Sequence, residues 1–116
     1  FTSRGIRVEL IGQIPIYSVL PVRCLVSKIS RKEDTAACGL TRQDAVAQAR
    51  LSNAALERAA SSNPMVSFSL PTRYMCQEKM CSPILDGTLL YKKAGHINRY
   101  GAVALRRFVQ FYKPER

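Results

Sequence analysis

A strand–helix–strand order constrains this chain more than any other feature. Residues 5–16 read GIRVELIGQIPI, a β-branched run built on Ile6, Val8, Leu10 and Ile11, closed by Gly12 and stopped by Pro15. Residues 65–70, MVSFSL, alternate apolar and polar side chains and form the next strand. Between them Thr41 stands as a helix N-cap with Asp44 three residues on, the spacing of a capping box. Val46, Ala49, Asn53, Leu56 and Ala60 then recur at intervals of three and four, which predicts an amphipathic helix over 42–61. Ser61, Ser62, Asn63 and Pro64 end it. Two strands joined through such a helix pair in parallel with a right-handed crossover, so the fold class is α/β.

The remaining segments add little regular structure. Tyr17 to Leu40 shows no clean period and reads as a long excursion with at most one helical turn. After Pro71, TRYMCQEKMC is a short helix or turn; Asp86-Gly87 is a turn, and Thr88 to Tyr91 a short strand or arm. The final helix is expected from about Asn98 to Tyr112, with Leu105, Phe108, Val109 and Tyr112 on one face. Gly101 is expected to let this helix approach its neighbour closely. Two strands and two helices make a thin core, half of a sheet, whose exposed edge offers a route to a homodimer. A length of 116 residues fits a single domain, 1–116, or a piece of one, and the start at Phe1 implies processing or excision from a longer chain.

Composition narrows the functional classes. Hydrophobic residues make up 47% and charged residues 22%, as in soluble globular proteins, which argues against disorder. No apolar run approaches the ~20 residues that cross a bilayer. The formal net charge is +10, from 18 Lys and Arg against 8 Asp and Glu. The cations are scattered, densest at Lys92, Lys93, Arg99, Arg106, Arg107, Lys113 and Arg116, and no zinc-finger or RNP-type signature accompanies them. Specific nucleic-acid binding is therefore not expected, whereas anionic surroundings suit the chain. The simplest reading of Lys92-Lys93 is a solvated pair; its functional alternative is contact with an anionic glycan.

The four cysteines, Cys24, Cys38, Cys76 and Cys81, allow three pairings. Their spacing lacks the tight C-x₂-C pairs of a zinc site. Two local disulfides, Cys24–Cys38 and Cys76–Cys81, fit better and place the chain in an oxidising compartment such as the periplasm; free buried thiols are the alternative. No metal or cofactor is expected.

The stretch from Cys76 to Ala102, CQEKMCSPILDGTLLYKKAGHINRYGA, carries the sole histidine, His96, at a strand-to-helix junction. An imidazole there can act as a general base at the edge of a sheet, or be an ordinary exposed residue. Asp86 needs no role beyond its turn. For Tyr74, Tyr91 and Tyr100 packing at the edge of the core is the default.

Taken together, the VELIGQIP strand, the Cys24-Leu25 loop, the RQDAVAQARLSNAALERAASS helix, the C-x₄-C pair, the DGTLLY arm and HINRYGA resemble a known domain. They look like the C-terminal half of the SGNH domain fused to acyltransferase-3 membrane proteins, bacterial O-acetyltransferases that modify lipopolysaccharide O-antigen and related surface glycans. The resemblance covers nearly the whole chain. It implies a partial three-layer α/β/α sandwich, flavodoxin-like, with a small parallel sheet. It also implies a periplasmic, membrane-anchored parent protein, a cell-envelope glycan as acceptor and an acyl donor delivered by a membrane domain.

The same resemblance implies a Ser-His-Asp centre whose histidine comes from a D-x-x-H motif at the start of the last helix, the place of His96. Lys93 stands where that motif has Asp, and lysine cannot accept a hydrogen bond from imidazole. The G-D-S motif of the family's nucleophile is not among these residues, and Ser3 and Ser18 lack its context. The resemblance therefore implies a fragment or diverged form, inactive by itself. A basic, non-catalytic domain of the same fold that binds anionic glycan is the competing expectation.

Overall fold

The computed structural model describes residues 2–109. Strand β1 (Val8–Ile11) leads through an extended segment to helix α1 (Pro21–Ser30), a 3₁₀ turn at Thr35–Cys38 and strand β2 (Leu40–Thr41). Helix α2 (Arg42–Ser61) returns the chain to strand β3 (Val66–Ser69), followed by a single-turn helix α3 (Thr72–Met75). Five short strands come next: β4 (Met80–Cys81), β5 (Ile84–Leu85), β6 (Thr88–Leu89), β7 (Tyr91–Lys93) and β8 (His96–Ile97). Helix α4 (Arg99–Leu105) and a 3₁₀ turn (Arg106–Phe108) close the described chain.

The strand–helix–strand unit forms as the sequence predicts. β1 and β3 pair in parallel, Val8 opposite Val66 through Ile11 opposite Ser69. α2 packs across both strands, with Ala45 and Ala49 each only 1% exposed. Its start is fixed by the Thr41 hydroxyl, which accepts a hydrogen bond from the Asp44 N–H at 3.1 Å. The predicted apolar face is shifted, however: Val46 is exposed and Ala45 is buried instead. Asn53 does not pack as part of an apolar stripe. Its side-chain oxygen accepts from the Gln13 N–H at 2.9 Å.

That bond explains why the first strand is shorter than the run of residues 5–16. Gly12 still extends the ladder by donating to the Ser69 carbonyl, but Gln13 and Ile16 give their N–H groups to Asn53 and Gln48 of α2. Helix side chains, not a neighbouring strand, satisfy those two N–H groups.

The excursion from Tyr17 to Leu40 departs most from expectation, because it holds the ten-residue helix α1. Pro21 occupies its first turn, where the missing N–H costs nothing. The Cys24–Cys38 disulfide ties α1 to the 3₁₀ turn, and Leu25 is buried. The second disulfide, Cys76–Cys81, also forms, and the described chain contains no free cysteine.

The antiparallel pairs are β2–β4, β5–β6 and β7–β8. Asp86 and Gly87 turn β5 into β6 with φ of 48° and 76°, the left-handed pair that a two-residue hairpin loop needs. The core centres on Tyr17, Met75, Leu90 and Tyr91, with Ile14, Tyr74, Leu85, Ile97 and Leu105 around them. A smaller cluster joins Ala45 to Cys76 and Cys81. The last helix is shorter than expected, ending at Leu105 before the 3₁₀ turn; Tyr112 lies outside the described residues.

Candidate functional site

The site is assembled where the β7–β8 hairpin meets the segment leaving β1. Residues 12–17 run beyond the carboxyl end of β1, and three contacts hold the hairpin against them. The Tyr17 N–H donates to the Ala94 carbonyl at 2.9 Å. The buried Tyr91 hydroxyl donates to the Pro15 carbonyl at 2.7 Å. Gly95 lies against the Ile16 side chain, close enough that an added Cβ would touch it at 3.5 Å. Open α/β sheets place their reactive groups beyond the carboxyl ends of parallel strands, and this hairpin sits there.

His96 opens β8, two residues before Asn98, the N-cap of α4. The imidazole is exposed, and no described carboxylate pairs with it. Lys93 is its direct partner across the ladder. The register shifts between Tyr91 and Lys93, so Lys92 is an extra residue on that strand. This bulge lets Tyr91 point into the core while Lys92 and Lys93 both stay exposed.

Asn98 sets the direction of the chain after His96. Its oxygen accepts from the Gly101 N–H at 2.7 Å, capping α4, and its amide nitrogen donates to the Leu89 carbonyl at 2.8 Å and to the Tyr91 carbonyl at 3.3 Å. One side chain thus ties β6, β7 and α4 together. Its position before a helix was legible as a start signal; its two donations depend on strands remote from it in register and were not. Tyr17 was likewise missed. Its ring meets Tyr91 edge-on at 4.9 Å, and burial pushes both phenols well above their ordinary value of 10.0.

The other residues singled out in the sequence lie apart from this hairpin or serve packing. Asp86 occupies its turn and pairs with Arg107 at 2.7 Å. Tyr74 stacks on Phe108 with ring centroids 4.7 Å apart. Tyr100 is exposed, with the Arg99 guanidinium 4.8 Å from its ring centre. Gly101 packs where a Cβ would come within 2.8 Å of both Leu90 Cα and Ile97 Cγ2. No group of three His, Cys, Asp or Glu side chains that could hold a metal ion occurs among the described residues.

The arrangement presents an accessible imidazole on a hairpin held by three contacts to the segment leaving β1. A comparison with protein families decides what that belongs to. The model of the SGNH domain (fused to AT3 domains) matches residues 1–110. The chain belongs to the SGNH-domain family. None of the curated proteins or solved structures compared with this SGNH domain matches it. Family and structure agree on a mixed α/β fold with helices and small sheets, one pair parallel. The two disulfides suit an extracellular domain, and no described helix is long and apolar enough to cross a membrane.

Proposed function

We propose that this SGNH domain is the extracytoplasmic part of a bacterial O-acyltransferase that acylates hydroxyls of a cell-surface polysaccharide such as lipopolysaccharide O-antigen. His96 serves as general base, and the nucleophilic serine comes from sequence outside these 116 residues. The observation that carries the reading is the placement of the sole imidazole on an anchored hairpin beyond the carboxyl end of β1, just ahead of α4. The family match supports the acyl-transfer class, and the disulfides support an oxidising compartment for a membrane-anchored parent protein.

In this reading the serine Oγ attacks the acyl carbonyl carbon while its proton passes to His96. The donor's leaving group departs with that proton, leaving an acyl-serine. A glycan hydroxyl then attacks the ester, gives its proton to the imidazole, and the serine recovers it. A membrane domain delivers the acyl donor.

The test is p-nitrophenyl acetate hydrolysis, and acetyl transfer to glycan read by mass spectrometry, in the parent protein containing the serine. His96→Ala should lower both by roughly 10²–10⁴, the range of a general base. Unchanged rates in that variant, or no activity in the intact parent, would overturn the proposal.

A further inference from the structure

We infer that the β7–β8 hairpin and the first turn of α4 select an acceptor glycan that carries negative charge beside the reacting hydroxyl. This rests on the acyl-transfer reading of the same site and adds the chemistry of the substrate. The bulge at Lys92 is the central observation. In a regular two-residue hairpin, Lys92 and Lys93 would point to opposite faces, one of them toward the core. The register shift instead leaves both ammonium groups exposed, with Lys93 directly opposite His96.

Arg99 follows His96 by three residues, a chain path of at most about 11 Å. Its guanidinium lies over the Tyr100 ring and donates to the Tyr100 hydroxyl at 3.0 Å. Tyr100 itself is 61% exposed, so the pair presents a flat aromatic face with a cation fixed to it. The sequence from Gly87 to Pro114 contains no Asp or Glu, and none of these three cations has a carboxylate partner among the described residues. Asp86, the nearest acid in sequence, is engaged by Arg107.

Three unneutralised cations around a candidate base lower the local potential energy of an anion. Guanidinium matches carboxylate and phosphate in a bidentate geometry, and lysine adds point charge. A uronate carboxylate or a phosphodiester on the sugar is the chemistry that fits, and Tyr100 offers a surface for the ring. The lysine at position 93 then acts on the substrate rather than on the histidine.

His96 is the only histidine of these 116 residues, and its imidazole C–H resonance, identified in the parent protein by its loss in His96→Ala, reports binding directly, with no turnover required. The intact protein would be titrated with oligogalacturonate, with polyglycerol phosphate and with dextran oligomers of equal length. One or both anionic probes should shift the resonance, more weakly as salt rises, and the probe that does so identifies carboxylate or phosphate as the group read. Dextran should leave the resonance unmoved. The double variant K92Q/K93Q should weaken anionic binding by roughly tenfold. The control R23Q/R50Q, with the same loss of charge elsewhere on the exposed surface, should change it little. Equal binding of dextran, no shift with either anion, or equal losses in the two double variants would overturn the inference. These outcomes are separate from the rate of His96→Ala, which tests the acyl-transfer reading alone.

Discussion

Lys93 stands directly across the β7–β8 ladder from His96, with only Ala94 and Gly95 between them in sequence. In the proposed acyl-transfer reading, the position that would hold an orienting acid therefore holds a cation, on a hairpin anchored through Tyr91, Ala94 and Gly95 to the segment leaving β1. A carboxylate here would face the imidazole without any movement of the backbone. Lys93→Asp in the parent protein is expected to raise kcat for ester hydrolysis by about tenfold with little change in KM for a neutral ester. The gain should fall well short of the ~10⁴ that a buried triad acid contributes, because this hairpin is open to water. Steady-state kinetics on p-nitrophenyl acetate check it, and a lower kcat in the variant would show that Lys93 does not occupy an orienting position.

The close approach of α4 gives a second prediction. At Gly101 a methyl group would press on Leu90, which is fully buried, and on Ile97. Leu90 is held by its own backbone, donating to Pro83 and accepting from Asn98, so it has no freedom to retreat. Gly101→Ala should cost about 2–3 kcal/mol through overpacking, even though alanine is the better helix former. A shift in the urea midpoint at constant slope would show it, and a stabilised variant would contradict the packing.

The parts of the fold legible in sequence are those in which a local rule and the tertiary structure agree. Thr41 capping Asp44 gave the start of α2, and the Asp86-Gly87 pair gave the β5–β6 turn, because both motifs satisfy their own backbone groups. α1 was missed although Val22, Leu25, Val26 and Ile29 have helical spacing and Pro21 marks a first turn. Only Leu25 of those four is buried, so the apolar period does not mark a core face there. The end of β1 was legible at Gly12, which makes the last bond of the ladder, but not that Asn53 and Gln48, some forty and thirty residues away, take the N–H groups of Gln13 and Ile16. The strand-to-helix junction that singles out His96 as a candidate was legible, since β8 does lead into α4 through Asn98. The Asn98 and Tyr91 anchors were not, because their value lies in carbonyls that only the folded chain brings near.

The two disulfides should respond differently to removal. Cys24–Cys38 closes a separation of 14 residues and Cys76–Cys81 one of 5, so chain entropy alone assigns them roughly 3 and 2 kcal/mol. Cys81 is fully buried beside Ala45, however, while Cys24 is only half-buried. Replacing Cys76 and Cys81 by alanine should therefore cost an additional ~1 kcal/mol of packing beyond opening the bridge. Comparing the urea midpoints of the alanine pair and the wild-type chain, both reduced so that Cys24–Cys38 is open in each and only the Cys76 and Cys81 sulfurs differ, isolates that packing contribution. Equal midpoints would remove it.

Ionisation of Tyr17, Tyr74 and Tyr91 should oppose folding at alkaline pH. Burial raises all three phenols above the ordinary value of 10.0, for Tyr17 and Tyr91 by a wide margin. The folded state thus keeps protons that the unfolded chain releases, so stability is fully present below about pH 10 and declines as pH rises toward the folded values. Tyr91→Phe removes the hydroxyl bonded to Pro15 and should cost about 1 kcal/mol at neutral pH, while making the alkaline decline shallower. Urea midpoints measured from neutrality into the alkaline range, alongside tyrosinate absorbance, would show the two curves converging as pH increases. Parallel curves would mean that the Tyr91 phenol ionises as freely in the folded protein as in the unfolded chain, and that the hairpin carrying His96 is not sealed against the β1 exit.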